Sequence, residues 1–254
     1  MYDLSGKTVL LTGASSGIGA TTAKLLGECG AYVIGHYVDD HHGIEEATRE
    51  ISDDHKILLA ANFEEPRSAR DLWRRSLAWR GRVDVVINNA AIMPETALSG
   101  SDEAWDQGWS RALQVNLVEP ASLTREAVLH FAAAGGGIII SLSSWAGQQG
   151  SAIATLSGYA ATKSAIKALT QTIARNYAKE GVLAYVIAPG IVRTSMSLIS
   201  ATARGGDDAV KAILPLGDLV PTSEVAAMVA FLASGQCRHL SGATIDMNGA
   251  AYVR

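Results

Sequence analysis

Seven short apolar runs punctuate the chain: "KTVLLT" (7–12), "YVIGHY" (32–37), "KILLAA" (56–61), "VDVVIN" (83–88), "GIIISLS" (137–143), "LAYVIA" (183–188) and "ATIDM" (243–247). Each is nearly unbroken in apolar residues rather than alternating, the pattern of a strand covered on both faces. Between them lie segments with helical period, such as "GIGATTAKLLGECG" (17–30), "GIEEATREIS" (43–52) and "SEVAAMVAFLA" (223–233). Strand and helix alternate almost throughout, which predicts an α/β fold: a parallel, doubly wound sheet of about seven strands with helices on both faces. Ligands of such sheets bind outside the carboxyl ends of the strands, so the candidate chemistry belongs there.

The 254 residues, 48% hydrophobic and 18% charged, supply a sizeable core. No linker-like tract or repeat interrupts them, and residues 1–254 read as a single domain. A net charge of −4 exerts no general pull on nucleic acid or an anionic membrane, which leaves small molecules and other subunits as expected partners. No stretch reaches the ~18 apolar residues of a membrane helix. Cys29 and Cys237 lack metal-ligand or Cys-x-x-Cys spacing, so a reduced, cytoplasmic compartment is expected. The six arginines and two tryptophans of "PRSARDLWRRSLAWRGR" (66–82) hint at nucleic acid. Ala69, Leu72, Trp73, Ser76 and Leu77 nevertheless form one helical stripe, which assigns the arginines to a solvent face.

After the first run stands "TGASSGIG" (12–19), opening directly into a helix. Glycines let backbone approach a pyrophosphate, and a helix N-terminus offers it free N–H groups. Further on, "SGYAATKSA" (157–165) sets Tyr159 and Lys163 four positions apart, on one face of a helix. A phenol beside an ammonium can serve as a proton-transfer pair, because the positive charge favours phenolate; for the pair alone the alternative is an amphipathic helix with one snorkelling lysine.

The order of these motifs resembles the short-chain dehydrogenase/reductase superfamily, whose turn reads T-G-x-x-x-G-x-G and whose active site reads Y-x-x-x-K. "NNAA" (88–91), "QVNL" (114–117), "SLSSWAG" (141–147), "APGIVRT" (188–194) and "SGATIDMNGAAY" (241–252) extend the resemblance over essentially the whole chain. It implies a Rossmann-type fold and an NAD(P)-dependent oxidoreductase acting on CH–OH groups, interconverting a secondary alcohol and a ketone. The implied catalytic residues are Asn116, Ser144, Tyr159 and Lys163. Tyr159 would be the acid/base, and Lys163 would lower its pKa and bind the nicotinamide ribose. Ser144 would polarise the substrate oxygen, with Ser143 as its rival, because a one-residue slip in a strand exchanges faces. Asn116 would hold a water beside the lysine in a proton relay.

For the dinucleotide, the resemblance implies Gly13, Ser15, Ser16, Gly17, Ile18 and Gly19 in the turn, and Tyr37 and Val38 after the second strand. Asn62 and Phe63 would meet the adenine. Asn88 to Ala91, meaning Asn88, Asn89, Ala90 and Ala91, would line the riboses. Tyr159, Lys163, Pro189, Gly190, Val192 and Thr194 would complete the nicotinamide side. Ala91 replaces the family's usual glycine, which is tolerable if its φ is negative. With Asp39 and Asp40 after Val38, no Arg or Lys close by and Ser16 in the turn, NAD is favoured over NADP. The alternative is a 2′-phosphate served by protonated His36, His41 or His42. These histidines otherwise read as solvated loop residues, and without a carboxylate or Cys set they imply no metal site.

A substrate lid is expected over about 193–219, and Met93, Trp145, Gln148, Ile153, Leu156, Met196 and Leu198 are candidate lining residues for a small neutral or moderately apolar substrate. Relatives commonly form tetramers, so a homo-oligomer, tetramer or dimer, is expected. The chief alternative is a 3-oxoacyl-[acyl-carrier-protein] reductase. Against it, "LHFAAAGGG" (129–137) lacks the basic residues that an acidic carrier would dock on, and Arg175 compensates weakly. A catalytically silent nucleotide-binding subunit is the alternative of another class, and the four retained catalytic residues argue against it.

Overall fold

The computed structural model describes residues 2–197 and 206–253. Seven strands form one sheet: β1 (Thr8–Leu11), β2 (Tyr32–Tyr37), β3 (Lys56–Ala60), β4 (Val85–Asn88), β5 (Gly137–Leu142), β6 (Val182–Pro189) and β7 (Thr244–Met247). Their order is β3-β2-β1-β4-β5-β6-β7, and every pairing is parallel. The chain winds outward from β1 to β3, then returns to place β4 beside β1 and winds the other way. This reversal opens a crevice at the carboxyl ends of β1 and β4, where a doubly wound sheet binds its ligand.

Side-chain alternation sends successive strand residues to opposite faces, and each face has its own core. Val9, Leu11, Ile87, Ile140 and Ile187 pack on Leu26 of α1 (Gly17–Glu28) and Val229 of α9 (Thr222–Ser234). Leu10, Val86 and Ile139 pack on Leu72 of α3 (Ser68–Arg80) and on Leu123 and Phe131 of α5 (Glu119–Ala134). On α3, Ala69, Leu72, Trp73 and Ser76 are buried while all six arginines of the segment are exposed.

The N-terminus of α3 is capped from a distance. The buried carboxylate of Glu119 accepts the backbone N–H groups of Arg67 at 2.9 Å and Ala69 at 2.8 Å. Helix α2 (His41–Ala47) departs from the expected 43–52. Asp40 caps it through the Gly43 N–H, and the Thr48 hydroxyl donates back to the Ile44 carbonyl at its end. Asn116 lies in a single π-helical turn, Gln114–Val118, between α4 (Asp102–Leu113) and α5. Such turns insert one extra residue and redirect a side chain.

Two helices follow around the site, the short α6 (Ala146–Gln149) and the long α7 (Ser157–Asn176), which carries Tyr159 and Lys163. The expected lid falls partly on residues 198–205, with Leu198, outside the described residues. Its two ends meet: Val192 and Val220 form a parallel bridge, with N–H to carbonyl bonds from Arg193 to Val220 at 3.0 Å and from Val220 to Ile191 at 2.9 Å. Arg193 and Asp218 pair across the same junction at 2.6 Å, and α8 spans Asp207–Ala212. Among the described residues no helix is long and apolar enough to cross a membrane.

Candidate active site

A cavity of about 570 Å³ opens at the carboxyl ends of the strands. Its floor is the Gly-rich turn. Gly13 has a φ of +67°, and a Cβ on Gly19 would lie 1.8 Å from the Gly13 carbonyl oxygen, so the turn closes only on glycine. From the β4 side, the Thr12 hydroxyl donates to the Ile87 carbonyl and accepts the N–H groups of Asn89 and Ala90. The Asn89 amide donates to the carbonyls of Thr12 at 2.9 Å and Gly13 at 3.0 Å. Ser16 is the N-cap of α1 but makes no side-chain cap bond, so the first-turn amides remain available to an anion. A turn that a Cβ would fill, with converging amide donors, fits a dinucleotide pyrophosphate.

The remaining residues assigned above to the dinucleotide also line this cavity: Ser15 to Ile18, Tyr37, Val38, Asn62, Phe63, Ala90, Ala91, Pro189, Gly190, Val192 and Thr194. Ala91 is not among the residues with positive φ, which is the condition its methyl group required. Asn88 does not line the cavity. As the last residue of β4 it points into the helix layer, where its amide donates to Thr124 at 2.9 Å and Ser141 at 3.4 Å.

Ser144, Tyr159 and Lys163 meet on one wall. The two serines are separated by their partners. Ser143 donates its hydroxyl to the Lys163 carbonyl at 2.7 Å, whereas the Ser144 hydroxyl accepts the Ala146 N–H at 3.2 Å and lines the cavity with the Tyr159 phenol. Burial pushes the Tyr159 phenol above its ordinary pKa, and the neighbouring Ser144 hydroxyl pulls only partly back. Lys163 lies on the same side of α7. Its Nζ stands 5.7 Å from the Tyr159 ring centroid and donates to the Leu142 carbonyl at 2.8 Å. Burial also depresses the ammonium itself, to about 8. In the protein alone, desolvation of the phenolate sets the direction for Tyr159, and the Lys163 ammonium is engaged by a backbone carbonyl.

Asn116 is not aimed into the cavity. Its Oδ1 accepts the Ile92 N–H at 2.8 Å, and its Nδ2 donates to the Ile92 carbonyl at 2.9 Å and to Thr162 at 3.2 Å. The side chain clasps the loop after β4 to α7. Met93, Trp145, Ile153, Leu156 and Met196 line the outer end of the cavity. Gln148 does not: on the short α6 it turns away, accepting from Lys167 at 2.7 Å and donating to Asp246 at 3.4 Å.

His36 is the largest departure from the sequence reading. It is no loop residue but a fully buried member of β2, and burial lowers its pKa to about 4. It is therefore neutral at physiological pH and unsuited to meeting a phosphate; His41 and His42 are exposed at the start of α2. Thr96 carried no motif and was missed. Fully buried, its hydroxyl donates toward the Thr155 carbonyl or Ser157 and accepts the Gly158 N–H at 2.9 Å, fixing the first turn of α7. A threonine in a loop gives no signal of this role until the loop and α7 are seen together.

Residues 13–250 match the family described as Enoyl-(Acyl carrier protein) reductase. The 3β-hydroxysteroid dehydrogenase 1 of Eggerthella lenta is 33% identical, over 98% of this chain and 95% of its own. A 3-oxoacyl-[acyl-carrier-protein] reductase of Vibrio cholerae is 33% identical over 99% of both chains. The cis-4-hydroxycyclohexanecarboxylate dehydrogenase of Sinomonas cyclohexanicum is 33% identical over 96% of this chain and 95% of its own. The crystal structure of a dehydrogenase/reductase from Sinorhizobium meliloti superposes with a TM-score of 0.86 at 27% identity, covering 99% of this chain and 97% of that one. Likeness of this extent, in sequence and in fold, makes the chain a member of the short-chain dehydrogenase/reductase superfamily, oxidoreductases that use NAD(P)(H).

Proposed function

We propose that this enzyme interconverts a ketone and a secondary alcohol on a small neutral or moderately apolar substrate, with Tyr159 as the proton donor and acceptor. The observation that carries the reading is the presence of Ser144, Tyr159 and Lys163 together in the lining of the cavity whose floor is the Gly-rich turn. A bound nicotinamide supplies or accepts the hydride. In reduction, Ser144 holds the carbonyl oxygen and Tyr159 delivers its phenolic proton to it as negative charge develops there. A phenol whose pKa is raised by burial is protonated at neutral pH, which suits donation. Lys163, an ammonium below about pH 8, stands behind the pair with its charge held by Leu142. Asn116 and Thr96 act through backbone, keeping α7 and the loop after β4 in register.

At the β2 end of the cavity, Asp39, Asp40 and Glu64 contribute to the lining, and Lys163 is the one Lys or Arg lining it among the described residues. A 2′-phosphate there would face carboxylates, whereas a ribose hydroxyl would find acceptors; NAD is the preferred coenzyme in this reading. The apolar outer end favours an alicyclic or aliphatic ketone, in keeping with the hydroxysteroid and hydroxycyclohexanecarboxylate named for two relatives. The Vibrio cholerae relative keeps a 3-oxoacyl thioester as the second reading.

The test is a panel of cyclic ketones, aliphatic ketones and a 3-oxoacyl thioester, followed by nicotinamide absorbance with NADH and NADPH separately. Tyr159→Phe should cut turnover by ~100-fold or more while binding NADH as wild type does. An active Phe variant would overturn the assignment of Tyr159. Tight NADH binding without turnover of any substrate would favour a silent binding subunit.

A further inference from the structure

The imidazole of His36 joins two parts of the cavity that come from different strands. Its Nδ1 accepts the backbone N–H of Gly13 at 3.0 Å, and its Nε2 bonds the Ala61 carbonyl at 2.9 Å. Because the Gly13 N–H can only donate, Nδ1 must carry a lone pair and Nε2 the proton, so the two partners select one neutral tautomer. The His36 carbonyl also accepts the Ala14 N–H at 2.8 Å. Two consecutive amides of the turn are thus held by one residue. On its other side the ring stacks on Phe63, with centroids 4.6 Å apart and planes within 14°. Asn62 and Phe63 directly follow Ala61, so the ring ties the Gly-rich turn on β1 to the wall beyond β3.

We infer that His36 is a positioning residue for the dinucleotide, setting the gap between the turn that receives the pyrophosphate and the Asn62–Phe63 wall beside the adenosine. The inference rests on the dinucleotide reading of the cavity. The Gly13 bond is the decisive one, since it fixes the orientation of the peptide that closes the turn. A side chain that accepts from Gly13 should preserve binding even without the Ala61 bond. A side chain that reaches only Ala61 should not.

Two variants separate the bonds. His36→Asn places an amide oxygen near the Nδ1 position, and His36→Gln places its amide near Nε2. NADH affinity is read by nicotinamide fluorescence, the KM for NADH and kcat at saturating NADH by absorbance, and stability by urea unfolding. For Gln, the expected result is a Kd and KM about tenfold weaker with kcat within about threefold, the effect of one lost hydrogen bond; for Asn, a Kd within about threefold of wild type. A purely structural role would lower the unfolding midpoint in both variants and leave their NADH affinities alike. A Gln variant binding NADH as tightly as wild type would overturn the inference. If the Gln variant does not fold, the Asn variant decides, because a tenfold loss there has the same consequence. Wild-type protein that fails to bind NADH would instead overturn the dinucleotide reading itself.

Discussion

The hydroxyl of Thr96 accepts the backbone N–H of Gly158 at 2.9 Å, one residue ahead of Tyr159. The bond caps an N–H that has no partner within α7, and it comes from a loop that also borders the cavity. Thr96→Val keeps the shape and removes the acceptor. It should lower stability by ~1–2 kcal/mol, measured by urea unfolding, and reduce kcat more than it raises the KM for NADH. Thr96→Ser, which keeps the hydroxyl, should restore most of kcat; a Ser variant as impaired as Val would show that the methyl contact, not the bond, positions the helix.

Lys163 carries an opposite conflict between stability and chemistry. Burial lowers its pKa from 10.5 to about 8, so the folded protein disfavours the charged form. Below about pH 8 the full cost is present; between pH 8 and 10.5 it fades, because the unfolded chain still binds a proton that the folded one has released. Lys163→Met should therefore unfold later than wild type at pH 7, by up to roughly 3 kcal/mol, with the gap closing toward pH 10.5, while activity is lost. Urea unfolding at pH 7 and pH 10 checks the sign, and a gap that widens with pH would refute it.

His36 makes the complementary prediction at acid pH. Burial first, then the nearby Arg75 charge, lowers it from 6.5 to about 4, against the raising effect of the Ala61 bond. The neutral form is the folded form, so its contribution is fully present above pH 6.5 and is lost as pH falls through the window down to 4. Wild type should lose about 2 kcal/mol from this group alone by pH 5. His36→Asn removes the slope, and its disadvantage relative to wild type should shrink between pH 7 and pH 5.

The carboxylate of Glu119 is a fourth test, far from the chemistry. It serves two backbone N–H groups at the start of α3 and also accepts from Gln114 at 3.1 Å. Glu119→Gln replaces one acceptor oxygen with a donor that would face other donors. The expected cost is ~1–3 kcal/mol with unchanged NADH affinity. Equal stability in the variant would mean that the cap is redundant.

Most of the sheet was readable in advance, because strands buried on both faces must be continuously apolar and each such run ended in a turn. The Gly-rich turn and the Tyr159–Lys163 pair were readable too, since both depend on spacing within one segment. What escaped depends on pairing between segments. The His in "YVIGHY" looks like a solvated neighbour of His41 and His42 until β1 and β3 supply Gly13 and Ala61 as its partners. Four-residue spacing put Lys163 beside Tyr159 but could not reveal that Leu142 would take the ammonium. Gln148 was misplaced because a four-residue helix has too few turns for a pattern to tell its faces apart.

The bridge between Val192 and Val220 gives the excursion between them a closed base, independent of what lies along it. Closing a loop costs only ~0.6 kcal/mol more for each doubling of its length, so residues between the two ends can be lengthened or rewritten at small expense to the sheet. The strands, the Gly-rich turn and the Tyr159 wall are thereby insulated from changes of length between these two valines.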